Sequence, residues 1–368
     1  MGDTAMEADD RGLEIEAEKS STATHLIIMV NGIIGSPTNW EYAARQFVDR
    51  YPQDVVVHCS ESNSSLLTFN GVDVMGERLA EEVISAVNRY PNLQKISFIA
   101  HSLGGLVARY AVAKLYGRDS TSGVSQEKVN GGGIMPDDSC LEKNYYGKVA
   151  GLIPMNFITC ATPHLGSRGH NQVPLFFGVQ TLEKVAYMTS WLLGNTGKHL
   201  FLSDNENGKP PLLVQMTSDG EDLKFMSALG CFKRRACYAN TSCDHLVGWA
   251  TSSIRRFNDL PKLQGAPVNK DYPHIVNVET DQTGSMHDKI ASGANDGYID
   301  ADDMEEQMIR GLTKVSWERI DVGFSGFKQW VLGHSTIQVK TPYIHSEGAD
   351  VIEHMIDNFQ LIQTKDGG

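Results

Sequence analysis

Apolar residues along this chain fall into short runs separated by stretches of three-to-four-residue periodicity. "HLIIMV" (25–30), "VVVHC" (55–59), "ISFIA" (96–100), "MNFITCA" (155–161), "RACYA" (235–239) and "WERIDVGF" (317–324) read as strands. After the first run, Trp40, Ala43, Ala44, Phe47, Val48 and Tyr51 form a helical stripe that Thr38 and Glu41 are spaced to open as a capping box. Leu79, Val83, Ile84 and Val87 predict a second helix and "LVARYAVAKL" a third. The last is "ADVIEHMIDNFQLI", striped by Val351, Ile352, Met355, Ile356 and Phe359. Strands alternating with helices predict an α/β fold, a mostly parallel sheet with helices on both faces.

Three stretches break the rhythm. Residues 118–139, rich in Ser, Gly and Asp, read as a surface insertion, and 261–300 are polar and irregular. Residues 166–230 are apolar in places but lack a strand pattern. The polar, acid-rich residues 1–22 predict a disordered tail, leaving 23–365 for one α/β domain.

Composition narrows the function. Hydrophobic residues make up 41% of the 368 and charged residues 21%, ordinary for a globular protein. The formal net charge of -13 argues against nucleic acid as a partner, and against attraction to anionic membranes by charge alone. The first twenty residues have neither a signal peptide's apolar core nor a transit peptide's arginines, and Met6 stands where myristoylation wants Ser or Thr. No window approaches a membrane span. The six cysteines are scattered and form no CxxC pair, so they are expected to be reduced thiols in a cytoplasmic protein.

The chemistry centres on "IAHSLGG", where a strand gives way to a helix within a few residues. Such a join is the setting of a nucleophile elbow, which needs small residues two before and two after the serine; Ala100 and Gly104 flank Ser102 in that way. A serine there can also simply cap the helix. Strand before, helix after and small flanks together favour the nucleophile. Its oxyanion donors would be the amide of Leu103 and that of Ile33, in the glycine-containing loop "VNGIIGSPTNW"; those glycines could equally serve only the turn.

An acid and a base should follow in chain order, each beyond a strand. Asp244, in "TSCDHLVGW", fits the acid, although an Asx-turn would use it as well. The base is His334 in "LGHSTIQVK" or His345 in "YIHSEGADVIEHM". His101, next to Ser102 on the strand, is expected to point away from it. His164 and His354 read as structural. Cys243, Asp244 and His245 are adjacent without a second cluster, so no metal and no cofactor are expected.

Four stretches, "HLIIMVNGIIGSPTNW", "ISFIAHSLGGLVARYA", "NFITCATPHLGSRG" and "YANTSCDHLVGW", resemble a serine-esterase family of lipase-like α/β-hydrolases, known from plants and fungi as a domain of unknown function. The order of "HSTIQVK" and "GADVIEHM" supports it. The resemblance implies an α/β-hydrolase fold, ester hydrolysis on lipid-like substrates and a Ser–Asp–His triad. Ser102 matches the elbow serine, Asp244 the aspartate of the family's DH-x-V segment and His334 the C-terminal histidine, which tips the choice from His345. The chain departs in having Asn31-Gly32 where such lipases often have His-Gly, Ala100 for glycine, and Ser335 and Thr336 where asparagines commonly follow.

The expectation is therefore a serine esterase working through an acyl-enzyme on lipid or other acyl esters. Leu175, Phe176, Phe177, Tyr187 and Trp191 would cover the site as a lid or acyl-chain wall, in transient contact with a membrane or lipid droplet, or else form a fixed cap. An acyltransferase would use the same triad with an alcohol acceptor, and a catalytically silent scaffold would keep the fold without reacting.

Overall fold

The computed structural model describes residues 14–15, 22–118, 147–167, 193–205, 208–263, 269–280 and 301–361. Eight strands form one sheet: β1 (Glu14–Ile15), β2 (His25–Val30), β3 (Val55–Cys59), β4 (Lys95–His101), β5 (Ile153–Cys160), β6 (Arg234–Asn240), β7 (Ile275–Thr280) and β8 (Glu318–Val322). Their order is β1-β3-β2-β4-β5-β6-β8-β7. All neighbours are parallel except the two edge pairs, β1 with β3 and β7 with β8. The six runs read as strands are β2, β3, β4, β5, β6 and β8.

Burial on both faces explains why most of those runs are nearly all apolar, while β8 buries charged Arg319 and Asp321. Along β2, Leu26, Ile28 and Val30 enter one core and Ile27 and Met29 the other, the period-two alternation of a strand. The first core is closed by α2 (Val72–Arg89) and α3 (Leu103–Leu115), the second by α1 (Glu41–Arg50) and the helix Ala349–Asp357. The expected stripes are buried: Trp40, Ala43, Ala44, Phe47 and Val48 before and along α1, and Val351, Ile352, Met355, Ile356 and Phe359 at the C-terminal end. The chain is thus an α/β sheet protein with helices on both faces.

The structure adds elements the pattern did not yield and corrects one. The polar stretch 261–300 contains the edge strand β7, and the helix Ala301–Leu312 follows it. Glu14–Ile15, inside the expected tail, pair with His58 and Val57. The capping box sits two residues early. Asn39 Oδ1 accepts the Ser36 amide at 3.0 Å, opening a 3-10 turn at Pro37–Trp40, and α1 starts only at Glu41. Proline at the first position of that turn, whose missing N–H is no loss there, favours the earlier start.

Candidate active site

Ser102 stands between β4 and α3 with φ 54° and ψ -130°, a conformation that strains any residue with a Cβ. It occupies the N-cap position, yet its hydroxyl makes no cap hydrogen bond, so the helix gains nothing from it. Neighbouring structure holds the bend in place. The Ser102 amide donates to Cys160 O at 2.8 Å, and Gly105 N donates to Ser102 O at 3.1 Å. A Cβ at Gly104 would lie 2.6 Å from the carbonyl oxygens of Val30 and Asn31, and one at Gly105 would run into Thr162. Glycine is required at both because β2, β5 and α3 converge on this turn.

The loop after β2 closes over the elbow. A Cβ at Gly32 would lie 2.8 Å from Ser102 Cβ. Asn31 donates from Nδ2 to Asn63 O at 2.9 Å. The Ile34 amide is taken by Thr68 Oγ1 at 3.0 Å, and Ser65 N donates to Gly35 O at 3.0 Å, so the loop 60–71 braces this one. The amides of Ile33 and Leu103 are both left without an acceptor among the described residues.

Asp244 lies four residues beyond β6 and His334 in the helix Phe327–Thr336, which follows β8. His334 Nδ1–H donates to Asp244 Oδ2 at 3.0 Å, with both side chains buried. Each carboxylate oxygen is fully used: Asn240 Nδ2 also donates to Oδ2 at 2.9 Å, and the amides of Leu246 and Val247 donate to Oδ1 at 3.0 and 2.9 Å. The Asx-turn and the pairing with His334 coexist on one side chain. Burial alone would raise the Asp244 carboxyl, but the charge and hydrogen bond of His334, with Asn240 and Val247, outweigh it and hold it below its ordinary value. Gly333 is what lets the helix approach, since any Cβ there would collide with the carbonyl of Cys243.

His101 corrects an expectation. It does not turn away from the site. Its ring lies against that of His334, with centroids 4.6 Å apart, and its Nε2–H donates to His334 O at 2.7 Å. Alternation is a rule for the interior of a strand, and β4 ends at His101, one residue before the bend at Ser102. Burial, and then the neighbouring charge of His334, pushes His101 down to about 3. It stays neutral. Asn240, which spans Asp244 and Gly333 O at 3.3 Å, also escaped the sequence; no pattern in the chain marks it.

His345 is committed elsewhere, its Nδ1 accepting the Thr341 amide at 3.0 Å within its own turn. His164 accepts or donates at Thr159 Oγ1, 2.9 Å away, and packs on Trp317, while His354 faces the Tyr238 hydroxyl. Both are structural, as expected. Among the described residues Ser102 Oγ makes no hydrogen bond; nucleophile-to-base bonds are often loose until substrate arrives. Leu175, Phe176, Phe177, Tyr187 and Trp191 lie outside the described residues.

A bend that holds a strained serine at the end of a strand, with a buried Asp–His pair delivered from the next strands at the same sheet edge, is the layout of the α/β-hydrolases. Residues 20–254 match the family described as "Putative serine esterase (DUF676)". The chain belongs to that family. Relatives include the "Putative lipase ROG1" of Saccharomyces cerevisiae, 28% identical over 72% of this chain and 34% of that protein. Another is the "Putative lipase C4A8.10" of Schizosaccharomyces pombe, 26% identical over 67% of this chain and 28% of that protein. The chain spans about a third of the length of the curated relatives it matches. Among solved structures, Bacillus licheniformis lipase BlEst2 aligns at 13% identity and TM-score 0.34, covering 63% of this chain and 38% of that one. No helix among the described residues is long and apolar enough to cross a membrane.

Proposed function

We propose that this esterase-family domain hydrolyses carboxylic esters by a Ser–His–Asp mechanism, and that its substrates are lipid acyl esters. The reading rests chiefly on the 3.0 Å bond between buried Asp244 and His334, set against the residue that adjoins Ser102. With Nδ1 donating to Asp244, His334 carries a bare Nε2 that can accept the Ser102 proton. Ser102 Oγ attacks the ester carbonyl, and the amides of Ile33 and Leu103 receive the charge that develops on the carbonyl oxygen. The imidazolium, stabilised by Asp244, returns the proton to the departing alkoxide. Water then attacks the acyl-enzyme with His334 again as base, releasing the acid and the free serine.

The lipid assignment is supported by the relatives named as lipases in two yeasts. A cytoplasmic setting is supported by the five described cysteines, all of them free thiols.

Fluorophosphonate labelling tests the mechanism. The wild-type chain and His345→Ala should label at comparable rates, while Ser102→Ala, carrying no nucleophile, should not label and His334→Ala should label at only a residual rate. Labelling of a residue other than Ser102, or full labelling of His334→Ala, would refute it. Activity that rises with acyl length on a p-nitrophenyl ester series supports the lipid assignment; a steady fall would restrict the domain to small esters.

A further inference from the structure

The helix Phe327–Thr336 is inside out. Its polar residues Gln329, His334 and Thr336 are buried, Thr336 Oγ1 donating to Gln329 Oε1 at 2.7 Å. Its apolar residues face solvent instead: Phe327 is 87% exposed, Val331 64%, and Trp330 lies exposed between them. Spacings of three and four place these three on one helix face. The short helix Pro342–His345 packs beside it and extends the patch with Tyr343, 97% exposed, and Ile344. Among the described residues, only His245, whose ring lies 4.5 Å from that of Trp330, is recorded against this face, and hydrophobic burial there does not account for a helix turned this way. His334 fixes its rotation, and the opposite face is left for something outside.

Local charge together with the apolar surface favours one occupant. The chain carries a formal net charge of -13, yet no acidic residue occurs between Asp321 and Glu347, a stretch that holds Lys328 and Lys340. Lys328 is exposed next to Phe327 on the helix, Lys340 is half-buried just before the short helix, and both act electrostatically on His345. Aromatic and aliphatic side chains rimmed by lysines suit the boundary between lipid tails and anionic headgroups. Further apolar side chains are exposed at the Ser102 end of the sheet: Ile34 in the loop beside Ser102, and Leu66 and Leu67 in the loop that braces it.

The geometry points to this face as a docking surface for an anionic lipid membrane, one that brings the Ser102 end of the sheet to the bilayer. Docking needs no turnover, so it stands apart from the proposed hydrolysis: either can fail alone. Flotation of the full chain with vesicles tests it, using phosphatidylcholine alone and phosphatidylcholine with phosphatidylserine. Wild type and Ser102→Ala should both float with the anionic vesicles, and less so as salt rises. The triple variant Phe327→Ser, Val331→Ser, Tyr343→Ser should lose on the order of tenfold or more in partition, with circular dichroism and hydrolysis of a soluble ester unchanged. Lys328→Gln with Lys340→Gln should lower the preference for anionic vesicles by roughly tenfold while residual apolar binding persists. Absence of wild-type flotation, or flotation of the triple variant equal to wild type, would overturn the inference. So would sedimentation showing patch-dependent self-association without vesicle binding, which would assign the face to a second copy of the chain.

Discussion

The imidazole of His101 donates from Nε2 to the backbone carbonyl of His334, 2.7 Å away, across 233 residues of sequence. The residue that leads into the elbow therefore holds the main chain of the proposed base. Removing the donor leaves a carbonyl in a buried site without its partner, a penalty of about 1–3 kcal/mol, and frees His334 to shift. His101→Leu should slow fluorophosphonate labelling of Ser102 by about tenfold or more, because sub-ångström placement governs such steps. His101→Gln can offer an N–H in the same direction and should recover part of the rate. Equal rates in both variants, or a wild-type rate in His101→Leu, would remove this positioning role.

Asp244 accepts four hydrogen bonds, two on each oxygen, and only the one from His334 bears on chemistry. Asp244→Asn preserves size and most of the turn but presents an amide that can donate to His334 Nδ1. That would reverse the tautomer and occupy Nε2 with hydrogen. Turnover of p-nitrophenyl butyrate should fall by about 10³–10⁴-fold with a small change in thermal midpoint. A loss below roughly tenfold would make the carboxylate structural.

Much of this was legible in the sequence where burial is two-sided or the local chemistry is distinctive. Most of the six central strands are apolar runs because both their faces meet helices, and Ser102, Asp244 and His334 each follow one of the six. β7 was hidden because its burial fades along its length: "IVNVET" buries Ile275 and leaves its last three residues exposed, so it reads as polar loop. The helix Ala301–Leu312 places Met304, Met308 and Leu312 at four-residue spacing, but its charged positions masked that stripe within an otherwise polar region. The shifted cap reflects competition between two nearby pairs, Thr38–Glu41 and Ser36–Asn39, settled by Pro37. The roles of His101 and Asn240 depend on tertiary neighbours 233 and 93 residues away, and no local pattern carries them.

Gly104 is held small by backbone rather than by side chains. The carbonyl oxygens of Val30 and Asn31 are 2.6 Å from where its Cβ would be, and neither can rotate aside. Gly104→Ala must therefore push the strand end, and with it the Ile33 amide, away from Ser102. Loss of one oxyanion donor is worth about 10²–10³-fold in turnover. Gly104→Ala should show a kcat loss of that order with KM for a short ester little changed. A variant that keeps wild-type kcat would exclude the Ile33 amide as a donor in this geometry.

Three buried histidines make stability acid-sensitive. Burial, with Lys95 nearby, holds His25 down at about 3; burial and then His334 hold His101 at about 3; burial and then Arg109 hold His164 well below its ordinary value. The unfolded chain binds protons at these sites below about pH 6.5, whereas the folded chain refuses them until near pH 3 for His25 and His101. Between those limits the unfolded state holds more protons, so stability rises with pH and is lost as pH falls from 6.5 toward 3. Each site contributes up to about 1.4 kcal/mol per pH unit in that window. His274 works the other way, since its bond to Asp350 raises its pKa and its contribution fades as pH rises, but its partial exposure weakens that opposition. Glu82, held at about 2 by His58, Ser62 and the Glu61 amide against the opposing effect of burial, adds a further loss below about pH 4.5. Urea melts should accordingly show the unfolding free energy falling from pH 7 to pH 5. His25→Gln, which has nothing to protonate there and can still reach Ser97, should flatten that slope by about one proton's worth. An identical slope in wild type and His25→Gln would mean that His25 protonates as readily in the folded chain as in the unfolded one.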